Sequence, residues 1–368
     1  MARCFAVVTG GGTAGHVLPA LAVAEALVAR GRSPDELYYV GAVRGIETRL
    51  LPATPFPHTF YDVVGVQRRL DRANLQFVPK LVRGRTAAIE LLKRLAPRVV
   101  VSVGGYASLP VVLAARRLGI PIVVVSYDRR PGQASRLAAR WATACAVAFA
   151  DSPLPHATLT GAPVRQVVLD VDRARDRSLA REALGLPEER FVVVVAGGSQ
   201  GSGALNAAVR ELVEASAGDR GLAVRHVAGE RNLSEVMPSR SGEEGILYDV
   251  VGYDEKLPLA YAGADLFVGR GGAGTVAEVA VTGTPAVLVP WAAAADDHQS
   301  ANVRWLSEHG AAVFVAEAEL ANGRLQSEIA RLRAAPEELA ALGENAHRLG
   351  EVHRSGRLAA LVEEVGSR

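Results

Sequence analysis

The sequence predicts an α/β protein built from two doubly wound halves, each a parallel sheet covered by helices on both faces. Short apolar runs rich in β-branched residues and bounded by Gly or Pro alternate with helical stretches, as expected for strands buried on both faces. This alternation restarts after Pro163, and each half has a glycine turn directly after its first strand. Ligands of such sheets bind beyond the carboxyl ends of the strands, so we expect the halves to face a cleft that holds the site.

Each half contributes its own set of predicted strands. Those of the first half are Cys4–Thr9, Leu37–Gly41, Val99–Gly104, Ile120–Ser126, Cys145–Ala150 and Ala157–Gly161. Those of the second half are Phe191–Ala196, Leu222–Ala228, Ile246–Gly252, Asp265–Arg270, Pro285–Pro290 and Ala311–Ala316.

The length of 368 residues exceeds what one hydrophobic core usually supports, so we expect two domains. We place the first at residues 1–162 and the second at residues 163–345. Residues 346–368 are predicted to form a C-terminal helix, which packs on the second half or crosses back to the first.

Composition excludes several classes of protein. Lys and Arg number 41 against 39 Asp and Glu, and the formal charge of +2 does not favour a nucleic-acid partner. Cys4 and Cys145 are too few for a disulfide framework, which suits a reducing compartment. The apolar run Cys4–Val8 is too short for a signal peptide, and no apolar stretch approaches the roughly 18 residues of a membrane span. We therefore expect a soluble or peripheral protein.

Two glycine turns mark the first half. The stretch Thr9–His16 follows the first strand and precedes a predicted helix, Val17–Arg30, with Pro19 in its first turn, where proline is tolerated. The stretch Gly104–Ser108 follows the third strand. Bare backbone of this kind lets a ligand meet main-chain N–H groups, although glycines also serve simply to make tight strand-to-helix turns.

The second half carries the stronger indication of a ligand. Its first strand runs into the turn Gly197–Gly203, and a later strand ends at Arg270 before the small residues of Gly271–Gly274. Thr275 then opens a helical pattern with Glu278 inside its first turn. Free N–H groups and the helix dipole favour a phosphate at such a helix start.

Glu278 is placed to accept hydrogen bonds from both hydroxyls of a ribose diol, one with each carboxylate oxygen. The polar loop Asp296-Asp297-His298-Gln299 is expected to place further polar side chains near the same helix start. The alternative for Glu278 is an acid favoured by the helix dipole, worth at most about 1 kcal/mol. Together these features predict a nucleotide-sugar site.

A dinucleotide site is the rival interpretation, because Gly10–Gly15 and Gly269–Gly274 both match Gly-x-Gly-x-x-Gly. That fingerprint needs an acid at the end of the second strand, about 20 residues on. The nearest acid in the first half is Glu47, beyond a further glycine, and the second match follows a late strand of its half. NAD or FAD is therefore less favoured than a nucleotide sugar.

Five motifs together resemble the MurG-type N-acetylglucosaminyltransferases, in order and over nearly the whole chain. They are GGGTAGHVLPALAVAEAL (Gly10–Leu27), GGYASLP (Gly104–Pro110), GAPVR (Gly161–Arg165), GGSQGSGALN (Gly197–Asn206), and RGGAGTVAEV with DDHQSAN (Arg270–Asn302). The resemblance implies a GT-B fold of two Rossmann-like domains and an inverting transfer. It also implies a peripheral enzyme at the cytoplasmic face of a bacterial membrane, where UDP-N-acetylglucosamine (UDP-GlcNAc) glycosylates the 4-hydroxyl of lipid I to give lipid II.

The resemblance also implies a donor site in the C-terminal half. Arg165 and Ser199 would contact the pyrophosphate, Arg270 and Glu278 would lie in the uridine site, and Tyr253 and Asp254 would hold the uracil edge through main-chain groups. His298, Gln299 and Asn302 would read the sugar hydroxyls. The turn residues that we add to the candidate donor contacts are Thr13, Gly15, Gln200, Gly201, Gly274 and Thr275. For Arg270 the alternative is an ordinary buried ion pair.

His16 matches the histidine of the family's N-terminal glycine loop and is our candidate general base for the acceptor hydroxyl. A histidine accepts a proton near neutral pH, and fixed N–H groups with an arginine stabilise a departing UDP without a metal. No Asp-x-Asp or His/Cys spacing predicts a metal or another cofactor. The alternative for His16 is a helix-start residue tied to the backbone.

One loop departs from the family pattern. Members usually carry His-Glu-x-Asn before a Pro-Gly pair, whereas this chain has Val125-Ser126-Tyr127-Asp128 and then Arg129-Arg130-Pro131-Gly132. Tyr127 or Asp128 would substitute for the polar tetrad, or the two arginines would face a pyrophosphate. The candidate acceptor-side residues are Gly12, Gly105, Tyr106, Tyr127, Asp128, Arg129 and Arg130.

This departure keeps two other functions open. One is a paralogous UDP-sugar transferase with a different acceptor, and the other is a non-catalytic UDP-sugar-binding protein. An assay with UDP-GlcNAc and lipid I separates the three functions. Lipid II formation indicates the lipid I transferase, donor binding with only slow UDP release indicates the paralogue, and donor binding without turnover indicates the binding protein.

Residues 63–85 are predicted to contact an anionic membrane surface. Arg68, Arg69, Arg72, Lys80, Arg83 and Arg85 stand there against Asp71 alone, and apolar residues lie between them. Basic residues gain about 1 kcal/mol each at such a surface, and the apolar side chains would enter the interface. The alternative is a solvated segment whose apolar side faces the core.

Overall fold

The computed structural model describes residues 4–63, 77–198 and 200–368, which form two compact units. Unit 1 contains the chain up to Gln166 together with Val352–Arg368, and unit 2 contains Val167–Glu351. The first boundary therefore falls after residue 166 instead of 162, and the C-terminal residues from 352 onward belong to unit 1.

Unit 1 is organised around a parallel sheet of seven described strands in the order β3-β2-β1-β4-β5-β6-β7. The strands are β1 (Ala6–Thr9), β2 (Leu37–Ala42), β3 (His58–Tyr61), β4 (Val99–Ser102), β5 (Ile122–Ser126), β6 (Ala144–Val147) and β7 (Ala157–Leu159). The helices that connect them are α1 (Ala14–Ala29), α2 (Glu47–Leu50), α3 (Phe77–Leu95), α4 (Ser108–Leu118) and α5 (Gln133–Ala139).

Unit 2 repeats this architecture with a sheet of seven described strands in the order β10-β11-β9-β8-β12-β13-β14. The strands are β8 (Phe191–Ala196), β9 (Leu222–Val227), β10 (Arg240–Ser241), β11 (Leu247–Val251), β12 (Leu266–Gly269), β13 (Ala286–Leu288) and β14 (Val313–Phe314). Only the pairing of β10 with β11 is antiparallel among these strands.

The remaining helices cover the second sheet and end the chain. Those that follow the first boundary are α6 (Gln166–Leu169), α7 (Arg173–Leu184), α8 (Gly203–Ala215), α9 (Leu257–Gly263), α10 (Ala273–Thr282), α11 (His298–Ser307), α12 (Arg324–Arg333) and α13 (Pro336–Leu349). The last two are α14 (Glu351–Arg354) and α15 (Arg357–Ser367).

The predicted α/β class is confirmed, and a strand lies in each predicted range, although most are shorter than predicted. The prediction lacked β3 and β10, which lie at sheet edges. Strand β3 is half-buried along its whole length and β10 is a two-residue exposed strand. Their sequences, HTFY and RS, contain polar residues and lack the continuous apolar run that marks most of the other strands.

Two helix starts differ from the prediction, and both differences concern candidate site residues. Helix α1 begins at Ala14, so Pro19 lies in its second turn and not in the first. Helix α10 begins at Ala273, so Glu278 also lies in the second turn. In both cases the chain enters the helix directly from the glycine turn, before the apolar periodicity begins.

The core of unit 2 contains a fully buried arginine. Arg181 on α7 is 0% exposed, and its guanidinium donates 2.7 Å to Asp265 and 2.9 Å to the carbonyl of Gly263. It also donates to three carbonyls between residues 187 and 190. A buried charge is stable only when it is paired and hydrogen-bonded in this way, so Arg181 fixes α7 to the edge of β12.

The C-terminal residues of unit 1 pack on its N-terminal part. Glu363 on α15 forms ion pairs with Arg30, at 2.7 Å, and with Arg32, at 3.3 Å. The N–H of Ala162 donates 2.9 Å to Nδ1 of His353. A Cβ at Gly161 would lie 2.5 Å from the carbonyl oxygen of Val352, so the two segments meet backbone to backbone.

The segment predicted to contact a membrane is described only in part. Residues 64–76, with Arg68, Arg69 and Arg72, lie outside the described residues. On α3, Val78 and Val82 are 61% and 56% exposed and lie one turn apart. No helix in the described ranges is long and apolar enough to cross a membrane.

Candidate functional site

The glycine turn between β1 and α1 is closely packed at Gly12. Gly12 has φ +98°, and a Cβ there would lie 2.4 Å from the ring of Tyr106. Gly105 has φ +77°, and a Cβ there would lie 2.4 Å from the carbonyl oxygen of Gly11. The turns after β1 and β4 are therefore in backbone contact, which brings together three predicted acceptor-side residues, Gly12, Gly105 and Tyr106.

Three buried side chains hold the turn at its beginning, middle and end. The hydroxyl of Tyr39, on β2, donates to the carbonyl of Gly10. The carboxylate of Glu47 accepts from the N–H of Gly12 at 3.1 Å and from the N–H of Ala42 at 2.8 Å. The hydroxyl of Tyr127 donates to the carbonyl of Gly15. This set of contacts fixes the backbone that carries His16.

His16 lies in the first turn of α1 with its ring directed at neighbouring polar groups. Its Nδ1 lies 3.2 Å from the hydroxyl of Thr13, and Gly104 packs against the Cδ2–Nε2 edge of the ring. Burial lowers the pKa of His16 below 6.5, and the negative charge of Asp128 opposes that shift. The imidazole is therefore neutral near pH 7 and available to accept a proton.

The loop that departs from the family pattern contributes two of its residues to this cluster. Tyr127 is 8% exposed and bonds to Gly15, and Asp128 is near enough to influence the charge of His16. Arg129 instead forms an ion pair with Asp151, at 3.1 Å. Arg130 is exposed. Of the two predicted substitutes for the polar tetrad, both Tyr127 and Asp128 thus lie beside the histidine.

The first turn of unit 2 lies between β8 and α8. Ser202 caps α8 by accepting from the N–H of Leu205 at 3.3 Å. Gly201 has φ +74°, and a Cβ there would lie 2.1 Å from the carbonyl oxygen of Ala228, so only glycine fits. Gln200 is exposed at this turn, and Ser199 lies outside the described residues.

The second turn of unit 2 lies between β12 and α10 and presents open backbone. A Cβ built at Gly272 or Gly274 would meet nothing within 4 Å, and Thr275 is half-buried beside them. Among the residues described, no acid lies in the first turn of α10. The free N–H groups of this helix start thus remain accessible to an anion.

Arg270 joins the two turns of unit 2. Its guanidinium bonds to the hydroxyl of Ser202 at the start of α8 and pairs with Glu317 at 3.1 Å. It also donates to the carbonyls of Val289 and Pro290, at 3.3 and 3.4 Å. Both terminal nitrogens are engaged, so the structure favours the alternative weighed for Arg270, a partly buried ion pair that positions the turns.

Glu278 and Asn302 occupy different environments. Glu278 is half-buried, and its carboxylate accepts from the hydroxyl of Tyr261 at 2.8 Å. Asn302 is 0% exposed, and its amide donates 3.2 Å to the carbonyl of Gly271. Glu278 is thus partly accessible, whereas Asn302 supports the turn at Gly271.

The loop before α11 carries the other predicted sugar contacts. Nδ1 of His298 lies 2.7 Å from the carbonyl of Ala295, and the amide oxygen of Gln299 accepts from the N–H of Trp291 at 2.9 Å. Asp296 and Asp297 both have positive φ, 52° and 51°. Left-handed backbone at two successive non-glycine residues is costly and is typical of functional loops.

The predicted uracil contacts lie on the loop after β11. Asp254 is 9% exposed, and its carboxylate accepts from Arg225 at 2.8 Å and from the N–H of Lys256 at 2.9 Å. Tyr253 is half-buried. Because these two hydrogen bonds engage the Asp254 side chain, they hold the loop after β11 in place.

Arg165 belongs to unit 1, as Thr13 and Gly15 do, whereas most of the candidate donor residues lie in unit 2. Its Nε donates 2.7 Å to Glu25 on α1, and the same carboxylate accepts from the N–H of Gln166 at 3.0 Å. These bonds attach Arg165 to α1 within unit 1.

The supporting residues were not identified from the sequence. Glu47 was considered only as a ribose-binding acid, yet its carboxylate binds the glycine turn. Glu317, Tyr261 and Arg225 follow no motif, because each meets its partner only after the chain folds. In the described ranges no group of three or more His, Cys, Asp or Glu is arranged to hold a metal ion.

Comparison with family models covers most of the chain. Residues 6–147 match the glycosyltransferase family 28 N-terminal domain, and residues 192–355 match the family 28 C-terminal domain. These two matches correspond to the two sheets described above.

Two whole-length relatives share one name, UDP-N-acetylglucosamine--N-acetylmuramyl-(pentapeptide) pyrophosphoryl-undecaprenol N-acetylglucosamine transferase. The protein of that name from Nocardioides sp. is 39% identical, and that from Desulforudis audaxviator is 35% identical. Each alignment covers 98% of both chains. The crystal structure of MurG from Acinetobacter baumannii has a TM-score of 0.72 at 25% identity, over 97% of this chain and 99% of that one. These matches confirm the resemblance found in the five motifs and the GT-B fold it implied.

We predict that Gly105→Ala lowers the melting temperature by about 4 °C or more, because the added Cβ meets the Gly11 carbonyl at a positive φ. Gly132→Ala is the control in the same unit, since Gly132 has φ −65° and no atom within 4 Å of an added Cβ. Thermal unfolding followed by circular dichroism measures both. Equal melting temperatures for the two variants would contradict the close contact.

Proposed function

This chain belongs to glycosyltransferase family 28, and from that premise we propose that it transfers N-acetylglucosamine from UDP-GlcNAc to lipid I, forming lipid II. The acceptor is undecaprenyl-pyrophosphoryl-MurNAc-pentapeptide, and its 4-hydroxyl attacks the anomeric carbon with inversion. The relatives that carry this name align with the chain from end to end, which supports the same substrates here.

The observation that carries the proposal is the pairing of two helix starts in unit 2. Helices α8 and α10 each begin at a glycine turn, and the Arg270 bond to Ser202 joins these turns. A diphosphate beside them would accept from main-chain N–H groups, and the positive ends of both helix dipoles would stabilise it. Glu278, one turn into α10, would then accept from the ribose hydroxyls.

Unit 1 supplies the group that activates the acceptor. The neutral His16 takes the proton of the attacking hydroxyl as the bond to the anomeric carbon forms. The bond from that carbon to the UDP oxygen breaks at the same time, and UDP leaves with the electron pair. The proton on the imidazole is then lost to solvent.

We also propose that the transfer needs no metal ion. Charge develops on the departing UDP, and oriented N–H groups at a helix start stabilise such charge without reorganisation. The accessible backbone at Gly272 and Gly274 supports this arrangement.

The membrane contact is proposed for the exposed side of α3 at the cytoplasmic face of a bacterial membrane. Val78, Val82 and Arg83 are exposed there, and Lys80 pairs with Asp62 at 2.9 Å. A lipid-linked acceptor would meet the enzyme at such a surface, where the valines enter the interface and the arginine faces lipid phosphates.

The decisive experiment combines the purified protein with UDP-GlcNAc and lipid I, with and without EDTA. Formation of lipid II in both arms supports the function and its independence from metal. Donor binding with slow hydrolysis but no lipid II would indicate another acceptor, and donor binding without any turnover would indicate a binding protein.

We predict that Glu278→Gln weakens UDP-GlcNAc binding about 10-fold or more, because a charge-assisted hydrogen bond to the ribose is lost. Calorimetry measures the dissociation constant. Glu308→Gln is the control, since Glu308 is exposed on the surface of the same unit. Tyr261→Phe keeps the packing and removes the hydroxyl that holds Glu278, so it is expected to weaken binding less. A dissociation constant unchanged in Glu278→Gln contradicts the assignment.

We predict that His16→Ala lowers kcat by about 100-fold or more and leaves donor affinity unchanged. Since burial lowers the pKa of His16, activity falls on the acid side only below pH 6.5.

We predict that Asp128→Asn, which removes the negative charge beside His16, lowers the pKa of His16 further. The acid side of the pH–activity curve then moves to still lower pH. A pH profile of kcat/KM for the wild type and for Asp128→Asn measures the shift. A shift of the acid side of the Asp128→Asn profile toward higher pH would refute the role of Asp128.

We predict that Val78→Asp with Val82→Asp abolishes flotation with anionic liposomes, because both charges would enter the interface. Leu179→Asp is the control, since Leu179 is 67% exposed on α7 of unit 2. Flotation of the double variant at the wild-type level would exclude α3 from the contact.

A further inference from the structure

Pro19 removes one backbone donor from the helix that carries His16. In an α-helix the N–H of each residue donates to the carbonyl four residues earlier, so residue 19 would serve the carbonyl of Gly15. Proline has no N–H. Because Pro19 lies inside α1, the Gly15 carbonyl lacks its helical donor.

Tyr127 supplies a donor to that carbonyl from across the sheet. It follows β5 directly, is 8% exposed, and its hydroxyl donates to the Gly15 oxygen. Burial, together with the charges of Asp128 and Tyr39, raises the pKa of Tyr127 well above 10. The phenol therefore stays protonated and keeps its donor.

This hydrogen bond acts on the peptide group next to the histidine. The carbonyl carbon of Gly15 is bonded to the nitrogen of His16, so the bond orients the plane from which the His16 side chain projects. Gly15 is exposed, and water would satisfy its carbonyl without fixing its direction. A buried phenol, in contrast, gives the carbonyl one direction.

The other two anchors of the turn act further from the histidine. Tyr39 holds Gly10 and Glu47 holds Gly12, which define how the chain leaves β1. Neither bonds to the peptide that joins residues 15 and 16. Tyr127 is thus the anchor closest to the imidazole, and it belongs to the loop in which this chain departs from the family pattern.

We propose that Tyr127 is a positioning residue for His16, acting through the Gly15 carbonyl that Pro19 leaves without a helical donor. The inference rests on the proposed function for its kinetic consequence, since His16 must be aligned with the acceptor hydroxyl when the proton moves. A misaligned base slows the chemical step and leaves donor binding intact.

The test is a kinetic comparison of three variants with lipid I and UDP-GlcNAc. Tyr127→Phe keeps the buried ring and removes the hydroxyl, and we expect kcat to fall about 10-fold with KM for UDP-GlcNAc unchanged. Tyr38→Phe is the control, because it removes a hydroxyl that bonds to Thr59 at 2.6 Å elsewhere in unit 1. Unchanged kcat in Tyr127→Phe would overturn the proposal.

The third variant restores a donor from the helix itself. In Tyr127→Phe with Pro19→Ala, the N–H of residue 19 can donate to the Gly15 carbonyl, so we expect kcat to recover part of the loss. A purely structural role of Tyr127 predicts no such rescue. Failure of Pro19→Ala to raise kcat above that of Tyr127→Phe would also overturn the proposal.

NMR of the His16 imidazole separates this inference from the proposed function. If the wild-type protein forms no lipid II, the proposed function fails, but the position of His16 can still be measured. His16→Ala identifies the resonance, and we expect its chemical shift or line width to change in Tyr127→Phe and not in Tyr38→Phe. A His16 imidazole resonance that is identical in the wild type, Tyr127→Phe and Tyr38→Phe would refute the effect of Tyr127 on His16.

Discussion

A parallel sheet that is covered on both faces leaves room for polar chemistry only at the ends of its strands, and both units depend on this constraint. Their central strands are almost entirely buried and apolar. Each chain segment must then leave its strand and enter a helix within a few residues. Glycine makes that exit possible, and the same bare backbone becomes the surface that a ligand meets.

The turns themselves depend on side chains that do not face a ligand. Arg270 and Glu317 hold the two turns of unit 2 together, Asn302 supports one of them from below, and Arg225 fixes the loop after β11. In unit 1 the corresponding supports are the hydroxyls of Tyr39 and Tyr127 and the carboxylate of Glu47. The rigidity of a site built from main-chain groups depends on these side chains. Several polar residues therefore bind the backbone of the turns and do not face a ligand.

Sequence patterns predicted the central strands and the positions of the turns, because burial on both faces and glycine at strand ends have a local signature. Edge strand β3 was not predicted, because its sequence, HTFY, has no continuous apolar run. For the candidate site, the sequence was sufficient to locate the glycine turns at the strand ends. The bond from Tyr127 to Gly15 spans 112 residues, and no local pattern marks such a pair. Arg270 shows the same limit, because no local pattern marks its partners Glu317 and Ser202.

The placement of residues 352–368 in unit 1 governs the order in which the chain can be completed during synthesis. The ribosome releases the first 166 residues early, yet the partners of Arg30, Arg32 and Ala162 emerge only after all of unit 2. The surface that α15 covers, including Phe5 and Val99 beneath Gly366, stays open to solvent during that interval. Synthesis of unit 1 therefore begins first, but its fold is completed last. Its uncovered apolar surface must be kept from aggregating while unit 2 is synthesised.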